Sequence, residues 1–91
     1  MNNNPDKTYL ELFGKHLYRL RKEKGLSQET LGFDAELGKN QIGMIERGEI
    51  NTTIGTLKKI ADVLKIEPKD LLDFWIIQKF GMVFVILAWL L

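Results

Sequence analysis

The chain has 91 residues, which suits one small domain whose modest core is commonly extended by dimerisation. It contains no cysteine, which excludes disulfide bonds, thiol catalysis and cysteine-based zinc sites and suits a reducing cytoplasm. The formal net charge of +1 by itself identifies no charged partner, and residues 1–12 lack the apolar stretch of a signal peptide.

The first predicted helix begins at a capping box. Thr8 and Glu11 stand three positions apart, where a hydroxyl and a carboxylate can bond the free amides of a helix start. Apolar residues then recur at steps of three and four, which predicts one buried helix face, and Gly25 ends the helix. That face consists of Leu10, Phe13, Leu17 and Leu20.

Two shorter helices are predicted next. Ser27 is a good N-cap for the second helix, while Gly38 is expected to begin the third and Gly48 to end it. Their inward residues are Leu31, Ala35, Ile42 and Ile45. Gly32 lies one turn before Ala35 on the same side, so another helix can approach closely there.

The last two predicted helices complete an all-α pattern. Thr53 caps the fourth helix, and Pro68 stands at a first-turn position of the fifth. The inward stripe of the fourth is Ile54, Leu57, Ile60, Ala61 and Leu64, and the fifth contains Leu71 and Leu72. This part of the sequence has no strand pattern, so we expect a domain of five short helices over residues 8–73.

Basic side chains are concentrated on the first helix although the net charge is small. They are Lys15, Arg19, Arg21, Lys22 and Lys24, opposed within that stretch only by Glu23. A basic face of this kind can meet the phosphates of a nucleic acid. On charge alone, however, an ordinary solvated helix surface is the preferred interpretation.

Residues 28–47 carry the main functional signal. Two short helices joined by a turn, with Leu37 and the apolar residues around it between them, can brace each other at a steep angle. The outer face of the second of these helices then starts with Lys39, Asn40 and Gln41. An amide can pair bidentately with adenine, and an ammonium can donate to guanine. This pattern predicts a face that reads bases, whereas the same side chains without the scaffold would be an ordinary polar surface.

The sequence resembles the phage repressor and Cro-like helix-turn-helix family, also called the Xre family. The residues that carry the resemblance are 20–29 (LRKEKGLSQE), Ile42, 45–48 (IERG), Leu57, Ile60, Ala61 and Leu64. The resemblance combines a local motif with the order of five helices and extends over residues 13–72. It implies a five-helix lambda-repressor-like DNA-binding domain and a transcriptional regulator that binds double-stranded DNA as a dimer.

The resemblance also implies which residues contact DNA. The set is Arg21, Gln28, Lys39, Asn40, Gln41, Gly43, Met44, Arg47 and Asn51. Gln28 falls where family members bond a phosphate, and Lys39 and Asn40 fall where they read bases in the major groove. Arg47 and the loop through Asn51 fall where the family contacts the DNA backbone again.

Several positions depart from the family pattern or leave alternatives open. Glu36 occupies a turn position that is often glycine, so either a left-handed strain of about 1–2 kcal/mol is tolerated or the turn differs. Gly43 stands in mid-helix at a cost of about 1 kcal/mol relative to alanine, and Met44 can at most contact a thymine methyl. Arg21 can contact phosphate or pair with Glu46, and the pairing is slightly favoured.

The last residues, 74–91 (FWIIQKFGMVFVILAWLL), are charged only at Lys79. The favoured interpretation is a dimerisation element, formed as a helix or as an intermolecular strand. A membrane tail is the second, because Trp75 and Trp89 resemble interfacial anchors, although Gln78 and Lys79 interrupt the apolar run. A frameshifted end or a fusion scar is the third.

No group of residues in the sequence indicates an enzyme, a cofactor or a metal site. His16 is alone and is expected at the surface, as are the carboxylates of Asp70 and Asp73. We therefore expect a cytoplasmic, dimeric, sequence-specific DNA-binding regulator. The alternatives are a protein-interaction module, such as an antitoxin, and a membrane-tethered regulator.

Overall fold

The computed structural model describes residues 5–74 and Leu90, and the regular secondary structure in this part of the chain is helical, without a strand. The elements are α1 (Pro5–Glu23), α2 (Gln28–Asp34), α3 (Gln41–Glu46), α4 (Ile54–Leu64) and a 3₁₀ helix (Pro68–Leu72). The all-α class is thus confirmed, with the fifth helix a 3₁₀ helix. The predictions for residues 74–91 fall almost wholly on residues outside the described part.

The start of α1 differs from the expectation. The helix begins at Pro5, so the predicted capping box is wrong and Thr8 lies inside the first turns. Proline is favoured at a first helical position because its missing N–H needs no partner there. Asp6 adds an acidic side chain to the first turn, where it interacts favourably with the helix dipole. Together these two residues start the helix earlier than the hydroxyl of Thr8 would.

The caps of α2 and α4 are confirmed. Ser27 Oγ accepts a hydrogen bond of 3.0 Å from the amide of Thr30, and Thr53 Oγ1 accepts one of 3.1 Å from the amide of Thr56. Each bond satisfies one free amide of a helix start. These caps fix where both helices begin, which in turn sets the position of the first residue of α2, Gln28.

Each of the four α-helices is followed, within two residues, by one residue with a left-handed backbone. These residues and their φ angles are Gly25 (72°), Glu36 (58°), Gly48 (73°) and Lys65 (60°). At each end the following amide bonds back to a carbonyl five residues earlier, as Leu37 does to Gly32 at 2.8 Å. The chain therefore keeps the usual turn at Glu36 and tolerates its strain.

The core lies where the four α-helices and the 3₁₀ helix meet. Its buried members are Phe13, Leu17, Leu31, Ile42, Ile45, Ile60, Ala61, Leu64, Leu71 and Phe74. Ile54 was expected in the inward stripe of α4, but it is 84% exposed. It is the first residue of the helix, directly after the cap, so it lies before the part of α4 that packs on the core.

Gly14 sets a close approach that the sequence reasoning missed. A Cβ on this residue would lie 2.6 Å from the carbonyl oxygen of Ile45, so only glycine lets α1 cross the end of α3 here. The helix that approaches at Gly32 is α3, but a Cβ on Gly32 would meet Ile42 Cγ1 at an ordinary van der Waals distance of 3.5 Å, so the approach does not require glycine. Helix α3 thus packs between α1 and α2, and its contact with α1 requires the glycine at position 14.

His16 is buried, which corrects the expectation of a surface residue. Its Nε2 lies 2.7 Å from the carbonyl oxygen of Asp70, and Arg19 Nη2 lies 2.8 Å from its Nδ1. Because a carbonyl only accepts, Nε2 carries the hydrogen and Nδ1 accepts from the guanidinium. The ring also packs on Phe74 with centroids 5.6 Å apart. This histidine joins α1 to the 3₁₀ helix and to Phe74, which follows that helix.

Among the residues that the structure describes, none of the helices has both the length and the apolar character needed to cross a lipid bilayer.

Candidate nucleic-acid interface

The expected base-reading residues lie at the start of α3 but mostly outside the helix. We expected the helix to begin at Gly38, whereas it begins at Gln41, so Lys39 and Asn40 belong to the preceding turn. Asn40 adopts a left-handed backbone with φ 69°, which interrupts the helix on its N-terminal side. Its side chain makes no capping bond. Two of the predicted base readers are therefore presented by a turn at the N-terminal end of α3.

Gln41 supports this turn from inside the helix. The amide of Gly38 donates a hydrogen bond of 3.1 Å to Gln41 Oε1. The bond closes the turn that contains Lys39 and Asn40, and it engages the acceptor of the Gln41 amide. The Nε2 group of Gln41 keeps its donors for other partners.

A buried ion pair lies behind the motif. Arg21 donates from Nε to Glu46 Oε2 at 2.7 Å and from Nη2 to Glu46 Oε1 at 3.0 Å. Arg21 Nη1 donates to the carbonyl of Leu26 at 2.8 Å. The hydrogen bonds from Arg21 to Glu46 raise the pKa of the guanidinium, while its burial acts in the opposite direction. The favoured pairing is confirmed, and a phosphate contact by Arg21 remains a prediction.

Gln28 extends this cluster to the surface. Its Nε2 donates to Glu46 Oε1 at 2.9 Å, so the carboxylate of Glu46 receives three hydrogen bonds in all, two of them from Arg21. The first residue of α2 is thereby tied to the last residue of α3. The amide that the family resemblance assigns to a phosphate contact is held in a defined position.

Arg47 is paired locally. Its Nε and Nη2 donate to the two carboxylate oxygens of Glu49 at 2.6 and 3.2 Å. The hydrogen bond between the two groups is the main cause that raises the pKa of Arg47 and lowers the pKa of Glu49. Both side chains are about half exposed, at 57% and 47%. Sequence reasoning missed Glu49, although its spacing of two residues from a predicted DNA-contacting arginine was visible.

The remaining predicted contact residues surround these groups. Gly43 is buried in the middle of α3, Met44 is half-buried, and Asn51 is exposed in the loop before α4. The side-chain oxygen of Asn51 accepts a bond of 2.8 Å from the amide of Thr52. Asn51 therefore shapes the loop in which it stands.

A groove between α2 and α3 brings several of these residues together. It has a volume of about 690 Å³, and its lining includes Gln28, Lys39, Asn40 and Gly43. Phe33 also lines it and is 84% exposed, a feature that the sequence analysis did not identify. The signal was present, because this aromatic residue lies off the inward stripe of α2. An aromatic ring in the groove gives it an apolar wall.

The basic cluster of α1 does not form one uniform face. Arg21 is buried, and Arg19 bonds to Glu23 at 3.3 Å and to His16. Lys22 lies over the ring of Tyr18, with its Nζ 5.8 Å from the ring centroid. Some basic side chains of this cluster are therefore buried or bonded within the protein, and others are exposed to solvent.

Comparison with known proteins places this arrangement in a family. The helix-turn-helix family HTH_3 matches residues 17–71. The chain is 42% identical over 64 residues to the control protein C.BamHI of Bacillus amyloliquefaciens, covering 69% of this chain and 79% of that protein. It is 34% identical over 61 residues to the HTH-type transcriptional regulator y4dJ of Sinorhizobium fredii, covering 67% of this chain and 79% of that protein.

Two crystal structures have the same fold. The restriction-modification controller protein C.AhdI of Aeromonas hydrophila matches with a TM-score of 0.67 and 45% identity, over 68% of this chain and 94% of that chain. An HTH_3 family transcriptional regulator of Vibrio cholerae matches with a TM-score of 0.67 and 35% identity, over 72% of this chain and 37% of that chain. The chain therefore belongs to the HTH_3 helix-turn-helix family and is a DNA-binding transcriptional regulator.

Proposed function

We propose that this regulator binds a specific operator in double-stranded DNA as a homodimer and controls transcription of restriction-modification genes. The second part of the proposal rests on two similar proteins, since C.BamHI is named a control protein and C.AhdI a restriction-modification controller protein. The first part rests on the turn that carries Lys39 and Asn40. The observation that carries it concerns Asn40, whose left-handed backbone places it at the start of α3 and whose side chain makes no capping bond to the helix.

In the proposed mechanism, the start of α3 enters the major groove of DNA. Lys39 and Asn40 read base edges, with Gln41 and Met44 beside them. Gln28, Arg47 and the loop at Asn51 contact phosphates on either side. Because phosphate contacts release counterions, affinity should fall steeply as the salt concentration rises. The action is binding alone, without a catalytic step or cofactor, and takes place in the cytoplasm.

The homodimer is proposed to form through residues 74–91, whose sequence is almost free of charge. Two helical domains related by a two-fold axis would place their α3 helices about 34 Å apart, which is one turn of DNA. The same residues would carry any antitoxin-like protein contact or membrane tether, and nearly all of them lie outside the described part of the chain. Light scattering of the full chain tests the dimer: a stable mass of two chains supports it, and a monomer at DNA-binding concentrations contradicts it.

Operator selection followed by a substitution at Asn40 tests sequence-specific binding. Duplexes bound by the full chain are selected from a random pool, and affinity is then measured for the selected site and for scrambled duplexes. Asn40→Gly keeps the left-handed backbone and removes the amide, whereas alanine would add strain. Loss of a bidentate contact should reduce discrimination by about 1–3 kcal/mol.

Lys65→Gly is the matched control, because it makes the same change at a left-handed position at the end of α4, outside the α2–α3 motif. Discrimination should remain at the wild-type level in this variant. Equal affinity of the wild-type chain for all duplexes would contradict sequence-specific binding. A uniform loss across sequences in Asn40→Gly would assign Asn40 to the DNA backbone instead of to a base.

A further inference from the structure

Phe33 is the one phenylalanine among the described residues whose ring is exposed to solvent. Phe13 and Phe74 are 4% and 7% exposed and belong to the core, whereas Phe33 is 84% exposed. A single exposed apolar residue is common on protein surfaces and needs no explanation by itself. Phe33 differs because it lines the groove between α2 and α3 together with Lys39 and Asn40, the two residues that are proposed to read bases.

The backbone of α2 fixes the position of this ring. Phe33 lies in the last turn of the helix, and its carbonyl accepts a hydrogen bond of 3.0 Å from the amide of Glu36. The preceding residue, Gly32, is buried and faces Ile42 of α3. Successive residues of an α-helix are rotated by about 100° around its axis, so Phe33 lies at the edge of the contact between the two helices.

The charge beside Phe33 disfavours a phosphate as its neighbour. Glu29 lies one turn before Phe33 on the same side of α2 and also lines the groove. Its carboxylate forms no ion pair within the part of the chain that the structure describes. A carboxylate repels a phosphate but can accept a hydrogen bond from the amino group of cytosine. Base edges are therefore the part of a DNA duplex that suits this end of the groove.

A phenylalanine ring can make few favourable contacts with base edges. The faces of paired bases are covered by stacking, so a ring that enters the major groove reaches only the edges. The apolar group on those edges is the C5 methyl of thymine, and phenylalanine is among the side chains that contact it. The other groups are hydrogen-bond donors and acceptors, for which a phenyl ring has no conventional partner.

Leu37 extends the apolar surface around the ring. It is half-buried and lines the same groove. Its amide donates a hydrogen bond of 2.8 Å to the carbonyl of Gly32, so the end of α2 fixes Leu37 and Phe33 relative to each other. A methyl group that meets this surface is removed from water, which stabilises the complex in proportion to the apolar area that is buried.

We infer that Phe33 is a specificity-determining residue whose ring contacts the C5 methyl of a thymine at the α2–α3 groove, next to the bases that Lys39 and Asn40 read. The inference rests on the proposed function, because α3 must lie in the major groove for the ring to reach a base. It adds a contact from α2 to a set of base readers that otherwise belongs to α3 and the turn before it.

Replacement of single thymines by deoxyuridine tests this contact, since deoxyuridine lacks the C5 methyl and keeps the hydrogen-bonding groups of thymine. Fluorescence anisotropy measures the affinity of full-length wild type and of Phe33→Ala for the selected operator and for each substituted version. The wild type should bind about fourfold more weakly when one particular thymine of a half-site is replaced, which is the effect of losing one buried methyl group. Phe33→Ala should bind the unmodified operator at least as weakly and should lose no further affinity at that replacement.

Ile54→Ala is the matched control, because Ile54 is also 84% exposed but lies at the start of α4, outside the groove. This variant should keep the wild-type dependence on the methyl group. Each dependence is a ratio of two affinities of the same variant, so a change in its folded fraction cancels. A loss of the dependence in Phe33→Ala alone attributes the contact to this ring instead of to Met44.

Two results overturn the inference: a wild type that binds every substituted operator as it binds the original, or a Phe33→Ala variant that keeps the wild-type loss. In the first case, a lower solution mass of Phe33→Ala would assign the ring to a contact between chains. Either result leaves the proposed function intact if the wild type still prefers the selected operator to scrambled duplexes. Equal affinity for all duplexes would overturn the proposed function, and the thymine contact with it.

Discussion

Arg21 at the end of α1 and Glu46 at the end of α3 form an ion pair that is almost fully removed from solvent. Their side chains are 7% and 4% exposed, and the shortest distance between charged atoms is 2.7 Å. The pair connects the first helix to the end of α3, where Gln28 also bonds to Glu46. A surface pair contributes little to stability, but a buried charge that loses its partner is costly.

Removal of one partner of this pair should be much more harmful than removal of both. Arg21→Met leaves the carboxylate of Glu46 buried without its main partner, which should lower the free energy of unfolding by about 3–5 kcal/mol. The double variant Arg21→Met with Glu46→Leu should recover most of that loss. Urea unfolding of the three chains measures the difference. A double variant as unstable as the single one would show that the pair is not the cause.

Gln41 should contribute to the turn before α3 through its side-chain oxygen. Gln41→Met keeps the length of the side chain but loses the acceptor for the amide of Gly38, so stability should fall by about 0.5–1.5 kcal/mol. Gln41→Glu keeps an acceptor and should unfold like the wild type, while its negative charge weakens binding to every duplex. Unfolding midpoints and affinities for two duplexes test both statements. Equal stability of Gln41→Met and wild type would contradict the role in the turn.

The left-handed backbone of Glu36 should be a site of stored strain. Glu36→Gly should raise the free energy of unfolding by about 1 kcal/mol, since glycine adopts φ 58° without the clash of a Cβ. Gly25→Ala provides the opposite test, because a Cβ there would meet nothing within 4 Å and the cost is backbone strain alone. Its stability should fall by a similar amount. The expectation fails if both variants change stability in the same direction.

These helix ends also show what the sequence could predict. Gly25 and Gly48 were expected as helix ends, and Ser27 and Thr53 as caps, because both kinds of signal depend on neighbouring residues alone. The resemblance to a family supplied the order of the helices and the assignment of Lys39 and the other contact residues. Local chemistry and the family pattern together therefore gave the fold class.

The features that the sequence analysis did not predict depend on contacts between distant residues or on a backbone conformation that the residue type allows but does not require. The start of α3 depends on the left-handed backbone of Asn40, which asparagine tolerates but does not require. The burial of His16 depends on a carbonyl 54 residues away in the sequence. The meeting of Gln28 Oε1 and Arg47 Nη1 over Gly43, where a Cβ would lie 3.2 and 3.1 Å from them, depends on how α2 packs against α3. Periodicity along one helix carries no information about any of these relationships.

The ion pair between Arg47 and Glu49 predicts a specific pH dependence. Hydrogen bonding to Arg47 holds the pKa of Glu49 below its ordinary value of 4.5, and the charge of Lys7 contributes least. A carboxyl group with a lowered pKa in the folded state stabilises that state above its unfolded pKa. The contribution is therefore complete above about pH 5 and is lost as the pH falls through the lowered pKa.

Titration of the Glu49 carboxyl carbon by NMR measures this pKa directly. In Arg47→Ala the pKa should rise toward 4.5, because both the main hydrogen bond and a nearby positive charge are removed. Lys7→Ala should change it much less, since Lys7 acts only through a weaker electrostatic interaction. An unchanged pKa in Arg47→Ala would mean that the pair does not persist in solution. Arg47 would then lack the orientation that places its Nη1 over Gly43.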